Sequence, residues 1–141
     1  MYRVAKQVHA TITEDHIVDA TVDGFVYKID WTGRKEQSDW QGASAGSVLL
    51  TSLAGCNLVT AQSYLIRTKT EYSILELDLD GEYVDVDNED STKLVSNVYI
   101  KTDAKLDEAG KQALLDFVDK YCTVSRVLAR GNDINIELVM V

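Results

Sequence analysis

The most constraining feature of the sequence is the segment 45–68, where apolar residues recur at helical spacing on nearly every side. Leu49, Leu53 and Cys56 fall on one side of the predicted helix, while Leu50 and its helical neighbours fall on another. A helix at a protein surface keeps one polar face, so an apolar circumference indicates burial. We therefore expect a long helix in the middle of the fold, covered by other elements on several sides.

Strand patterns surround this helix along the chain. Residues 9–13, 17–22 and 25–29 are predicted strands, and the Asp23-Gly24 dipeptide predicts a hairpin turn between the last two. Three more predicted strands follow the helix, with alternating apolar residues at Leu75, Leu77 and Leu79, at Leu94, Val98 and Ile100, and at Ile134, Ile136 and Leu138.

Three further signals complete the prediction of the fold class. Gly81 interrupts the strand alternation and predicts a β-bulge. Asp107 can cap a second helix, and a third short helix is predicted to begin near Cys122. The order of strands, buried helix, strands, helices and strand indicates an α+β protein.

Length, charge and cysteine content limit the class of protein. The chain has 141 residues, which predicts one domain over residues 1–141. A net charge of −9 repels phosphate backbones and anionic lipids, so neither nucleic acid nor membrane is an expected partner. The first residues show no signal peptide, and the apolar stretch 48–59 is too short and polar to span a bilayer. Two cysteines without a secretory signal favour the cytoplasm.

The two cysteines are the candidates for chemistry. Taken alone, Cys56 in a buried helix is more often a small core residue than a reactive one. Gly55 directly precedes it, and a glycine inside a helix predicts that another element approaches closely. Cys122 lies at a second helix junction, so the fold could bring the two thiols together. His9 and His16 lack metal-ligand spacing with a cysteine, and no metal or cofactor is expected.

Two segments resemble the OsmC/Ohr family, most closely its OsmC-like branch. The sequence SAGSVLLTSLAGC at residues 44–56 is similar to the family segment with the reactive cysteine. The sequence DKYCTVS at residues 119–125 is similar to the second cysteine motif, with Thr123 where the family often has proline. The cysteines are 66 residues apart (122 − 56), which also fits. The resemblance covers nearly the whole chain. It implies antiparallel sheets around a long buried central helix, in an intertwined homodimer.

The resemblance also implies a reaction. The Cys56 thiolate would attack the O–O bond of an organic hydroperoxide and become a sulfenic acid. Cys122 would then condense with it to a disulfide, which protects against irreversible oxidation. An external dithiol, for which the family suggests a lipoyl protein, would reduce the disulfide by thiol–disulfide exchange. The expected function is therefore a thiol-dependent peroxidase in oxidative stress defence.

An attacking thiolate needs a cation to lower the pKa of Cys56 from its usual value of about 8.5. The resemblance implies an arginine from the strand–loop region before the helix, contributed across the dimer. Arg34 is the best positional match, although a solvated loop charge is an equal alternative. Arg126 is the second candidate, because it lies four residues after Cys122 and can face it on a helix.

One departure from the family pattern keeps a second function open. Family peroxidases usually have a glutamate near the start of the buried helix to hold the arginine. The matching stretch here, residues 44–47, has no carboxylate, and Glu36 is a possible substitute. The alternative function is a non-catalytic stress protein whose apolar dimer-interface pocket holds a hydrophobic ligand.

Overall fold

The computed structural model describes residues 5–30, 35–88 and 91–141. These residues separate into two compact units, divided between Leu49 and Leu50. In chain order the elements are β1 (His9–Ile12), β2 (Val18–Val22), β3 (Phe25–Ile29), α1 (Ala45–Arg67), β4 (Leu75–Val86), β5 (Ser91–Thr102), α2 (Glu108–Tyr121), α3 (Thr123–Leu128) and β6 (Asp133–Met140). The mixture of segregated strands and helices confirms the α+β class.

The first unit contains an antiparallel sheet in the order β1-β2-β3. Asp23 and Gly24 form the predicted turn between β2 and β3, with positive φ angles of 52° and 81°. Two consecutive positive φ angles are typical of a type I′ hairpin turn, whose backbone twist matches the right-handed twist of the two strands it joins. The end of β3 is fixed by the fully buried Asp30, which accepts from the Gln41 N–H at 2.7 Å and pairs with Lys35 at 2.9 Å.

The long helix α1 has the predicted start and length, but it is buried on one face only. The hydroxyl of Ser44 accepts from the Ser47 N–H at 3.2 Å, as expected of an N-cap. The fully buried residues follow one stripe: Leu53, Asn57, Ala61 and Leu65. By contrast, Val59 is 66% exposed and Ile66 is 63% exposed. The expectation of burial on nearly every side is therefore wrong for the single chain, because β5 and α2 supply core partners for one stripe alone.

The same helix is long and apolar enough to cross a membrane, judged by length and composition. The apolar stretch 48–59 is too short to span a bilayer, but α1 extends beyond it at both ends. A core helix of a water-soluble protein passes the same test, and the buried stripe of α1 packs in the core of the second unit.

The second unit contains a sheet in the order β4-β5-β6. Strands β4 and β5 are antiparallel, whereas β5 and β6 are parallel. The expectation of purely antiparallel sheets is therefore corrected to one antiparallel and one mixed sheet. The reason is that α2 and α3 lie between β5 and β6, and a helical crossover returns the chain to the end where β5 began.

The predicted bulge at Gly81 is also wrong. The pairing of β4 with β5 keeps one register from Leu75↔Thr102 to Val86↔Ser91, and Gly81 lies opposite Ser96 within it. A Cβ placed on Gly81 would lie 2.6 Å from the Leu50 side chain. The glycine therefore makes room for a side chain of α1, and it leaves the strand pairing intact.

The helices α2 and α3 nearly follow one another. The Asp107 carboxylate accepts from the Gly110 N–H at 2.7 Å, which confirms the predicted cap of α2. Helix α2 buries Leu114 and Val118 against the core, and it ends at Tyr121. A single extended residue, Cys122, separates it from α3.

Candidate active site

Cys56 lies on α1 beside the buried stripe. Its side chain is partly buried, and it packs against the core cluster of the second unit. Gly55 does not have the predicted role, because within the described part of the chain a Cβ built on it would meet no heavy atom within 4 Å. Gly55 therefore does not mark a close contact of α1 with another described element.

Cys122 is fixed by the junction between α2 and α3. Its N–H donates to the Val118 carbonyl at 2.9 Å, and its carbonyl accepts from the Arg126 N–H at 3.0 Å. The residue is fully buried. Because both neighbouring helices hold its backbone, Cys122 keeps one position in the core.

Both thiols are free, and Cys56 packs against the core cluster that contains Cys122. Burial raises the pKa of the Cys122 thiol above its usual range, and the neighbouring Cys56 thiol raises it further through a hydrogen bond and a charge effect. The Ser125 hydroxyl and N–H act in the opposite direction. Because the net effect is a raised pKa, Cys122 remains a protonated thiol at neutral pH.

Two polar residues beside this pair were not singled out by the sequence patterns. The Asn57 amide nitrogen donates to the Leu53 carbonyl and to the Ser125 hydroxyl, both at 2.9 Å. Asn57 is fully buried and Ser125 is 5% exposed. A signal was present in the sequence, because an asparagine inside an apolar helical stripe needs a buried polar partner.

Of the two predicted cations, Arg126 alone lies among the described residues. Arg34 lies outside the described residues. Arg126 is exposed, and its side chain lines a surface cavity of about 330 Å³ together with Thr123, Val127 and Arg130. Glu36, the suggested substitute carboxylate, is exposed and belongs to the first unit.

The start of α1 lacks the carboxylate that family peroxidases usually have there. Its first turn contains no acidic residue. Within residues 5–30, 35–88 and 91–141, no three His, Cys, Asp or Glu side chains are grouped in a way that could hold a metal ion.

Known proteins resemble this chain in sequence family and in fold. The family model described as OsmC-like protein matches residues 36–137. An OsmC-like protein from Mycoplasma pneumoniae superposes with a TM-score of 0.85 at 21% identity, over 99% of each chain. The organic hydroperoxide resistance protein OhrB of Bacillus subtilis has a TM-score of 0.71 at 15% identity, over 96% of this chain and 98% of its own.

A third solved structure is an organic hydroperoxide resistance protein OsmC from Legionella pneumophila. Its TM-score is 0.75 at 13% identity, over 99% of each chain. Among proteins with curated descriptions, none matches this sequence. At these identities the structural likeness establishes the fold alone.

Proposed function

Because the chain belongs to the OsmC-like protein family, we propose that it is a thiol-dependent peroxidase that reduces organic hydroperoxides. The observation that carries the proposal is the pairing of a partly accessible Cys56 with a fully buried Cys122. This asymmetry matches the two roles in such a cycle. One thiol must be accessible to the peroxide, whereas the other reacts only with the sulfenic acid inside the protein.

In the proposed cycle the Cys56 thiolate attacks one peroxide oxygen. The O–O bond breaks, an alcohol leaves, and Cys56 becomes a sulfenic acid. The Cys122 sulfur then attacks the Cys56 sulfur, water leaves, and a Cys56–Cys122 disulfide forms. A dithiol, with a lipoyl protein as the proposed source, returns both cysteines to thiols.

The activation of Cys56 and the oligomeric state belong to the same proposal. We assign Arg34 as the cation that favours the Cys56 thiolate, donated across a homodimer, with Arg126 as the second candidate. Exposed apolar residues on α1, such as Val59 and Ile66, support a homodimer because a second chain would cover them. The proposed compartment is the cytoplasm, where oxidative stress defence uses reduced thiols.

Intact-mass spectrometry after treatment with cumene hydroperoxide tests the proposal. The wild-type chain should lose two hydrogen atoms as the disulfide forms. Cys122→Ser should instead gain oxygen atoms, because its sulfenic acid has no resolving thiol and proceeds to sulfinic and sulfonic acid. Cys56→Ser should remain unmodified. A wild-type chain that stays reduced under excess hydroperoxide would contradict the peroxidase function.

The second candidate is a non-catalytic protein that binds a hydrophobic ligand. The acid-free first turn of α1 favours it, because an arginine without a carboxylate partner is less well fixed. The same mass experiment separates the two functions. Full retention of both thiols, together with saturable binding of a fluorescent fatty acid, would support the binding protein.

A further inference from the structure

A buried polar contact joins α1 to α3 beside the cysteines. The Asn57 amide nitrogen donates to both the Leu53 carbonyl and the Ser125 hydroxyl at 2.9 Å. A backbone carbonyl can only accept, so the Leu53 contact fixes which end of the amide faces Ser125. Because the Ser125 oxygen accepts from Asn57, its own proton remains available as a donor.

The Ser125 donors act on Cys122. Cys122 is the N-cap residue of α3 and Ser125 is the third residue of that helix, so Ser125 lies one turn from Cys122. Its hydroxyl and its N–H both lower the pKa of the Cys122 thiol. In the reduced protein the Cys122 side chain makes no capping hydrogen bond to the described residues at the start of α3. A neutral thiol is a weak acceptor, whereas hydrogen bonds to a charged acceptor are about twice as strong as neutral ones. The Ser125 donors therefore matter most when Cys122 carries a negative charge.

Access to the two sulfur atoms is unequal. Cys122 is fully buried, whereas Cys56 is partly exposed on α1. An external thiolate must reach the sulfur that it attacks, and the other sulfur leaves as a thiolate. Cys56 is therefore the site of attack on a Cys56–Cys122 disulfide, and Cys122 is the leaving group.

We propose that Ser125, oriented by Asn57, is a positioning residue that stabilises Cys122 as the leaving thiolate when a dithiol reduces the disulfide. This inference rests on the proposed function, because it concerns the reductive half of the same cycle. A reductant thiolate forms a bond to the Cys56 sulfur, the disulfide bond breaks, and its electron pair stays on Cys122. The second reductant thiol then attacks its partner sulfur in the mixed disulfide, closes the reductant disulfide and frees Cys56. The two protons of the dithiol end on the two cysteines.

The test starts from a disulfide formed chemically with diamide, so it does not require peroxidase activity. Excess dithiothreitol then reduces the disulfide. Samples are quenched in acid at successive times, and the fraction of reduced chain is measured by intact mass. Ser125→Ala should slow reduction by about three- to tenfold, because a leaving thiol of higher pKa leaves more slowly. Ser125→Thr keeps the hydroxyl and should restore most of the rate.

The matched control is Ser96→Ala. Ser96 is a buried serine on β5, and its hydroxyl has no hydrogen-bond partner among the described residues. The variant should be reduced at the wild-type rate. A rate loss confined to Ser125→Ala and rescued by threonine would exclude a general loss of core packing as the cause.

A second measurement identifies the attacked sulfur. The disulfide is treated with one equivalent of glutathione, and the reaction is quenched in acid. Mass spectrometry of the digested protein should then find glutathione on the peptide that contains Cys56. Asn57→Leu, which frees the Ser125 hydroxyl to rotate, should slow reduction by about two- to threefold, and it provides the test if Ser125→Ala does not fold.

The inference would be overturned if Ser125→Ala or Asn57→Leu is reduced at the wild-type rate. It would also be overturned if glutathione is found on Cys122. A failure of the proposed function gives a different result. In that case hydroperoxide leaves the wild-type thiols reduced, whereas the diamide disulfide still shows the dependence on Ser125.

Discussion

The substitution Asn57→Asp replaces one buried group and tests the polar contact in the core. Asn57 is fully buried, and its amide nitrogen is the donor in both contacts at 2.9 Å. A carboxylate has no such donor, so it would face the Leu53 carbonyl with an acceptor, and towards Ser125 it could only accept from the hydroxyl. It would also add a negative charge close to the cysteine pair.

The expected loss of stability combines the cost of lost hydrogen bonds with the cost of a buried charge. Each lost hydrogen bond contributes about 1 kcal/mol, and an unpaired buried charge typically costs about 3–5 kcal/mol. We therefore expect Asn57→Asp to lower the free energy of unfolding by about 3–5 kcal/mol at pH 7. Asn57→Leu loses the same two hydrogen bonds but also removes an amide oxygen that has no partner among the described residues. Its loss should stay below about 2 kcal/mol.

The pH dependence gives a second signature. Burial raises the folded-state pKa of the introduced carboxyl above the unfolded value of about 3.9. The folded state then binds more protons than the unfolded state, so the stability of this variant rises as the pH falls through the folded-state pKa. Asn57→Leu has no added titratable group and should follow the wild-type profile.

The assay is urea unfolding at one protein concentration, followed by far-UV circular dichroism at pH 7 and pH 5. Asn57→Asp should recover part of its lost stability at pH 5 relative to Asn57→Leu. A variant with wild-type stability at pH 7, or with a deficit that does not change with pH, would refute the buried position and hydrogen bonding of Asn57.

The remaining predictions concern the cation, the first unit and the assembly. Arg34→Ala should slow alkylation of Cys56 by iodoacetamide at pH 7 in a Cys122→Ser background, with Arg126→Ala as the matched control. If Arg126→Ala slows alkylation and Arg34→Ala does not, Arg126 is the cation instead. Asp30 has a pKa held below its usual range, first by the Gln41 N–H and also by Lys35. Its stabilisation is present above the unfolded pKa and is lost as the pH falls through the folded one, so Asp30→Asn should flatten the acid limb of thermal melts. Light scattering at micromolar concentration should give a dimer mass, and a monomer mass would contradict the proposed assembly.

Periodicity was sufficient to predict most elements of the fold. The strands, the Asp23-Gly24 turn, the Asp107 cap and the extent of α1 all depend on residues close together in sequence, where side-chain spacing and backbone preference act directly. The cysteine motifs were likewise recognisable, because each one lies within a single local segment.

Tertiary structure decided the features that depend on residues far apart in the chain. The parallel pairing of β5 with β6 follows from where α2 and α3 return the chain, and the glycine at position 81 is explained by the space that Leu50 occupies. The unequal burial of Cys56 and Cys122, and the contact of Asn57 with Ser125, also arise only when α1 packs against the junction of α2 and α3. Sequence spacing can indicate that Asn57 needs a buried partner, but it does not identify Ser125 as that partner, because burial and hydrogen-bond geometry are properties of the packed core.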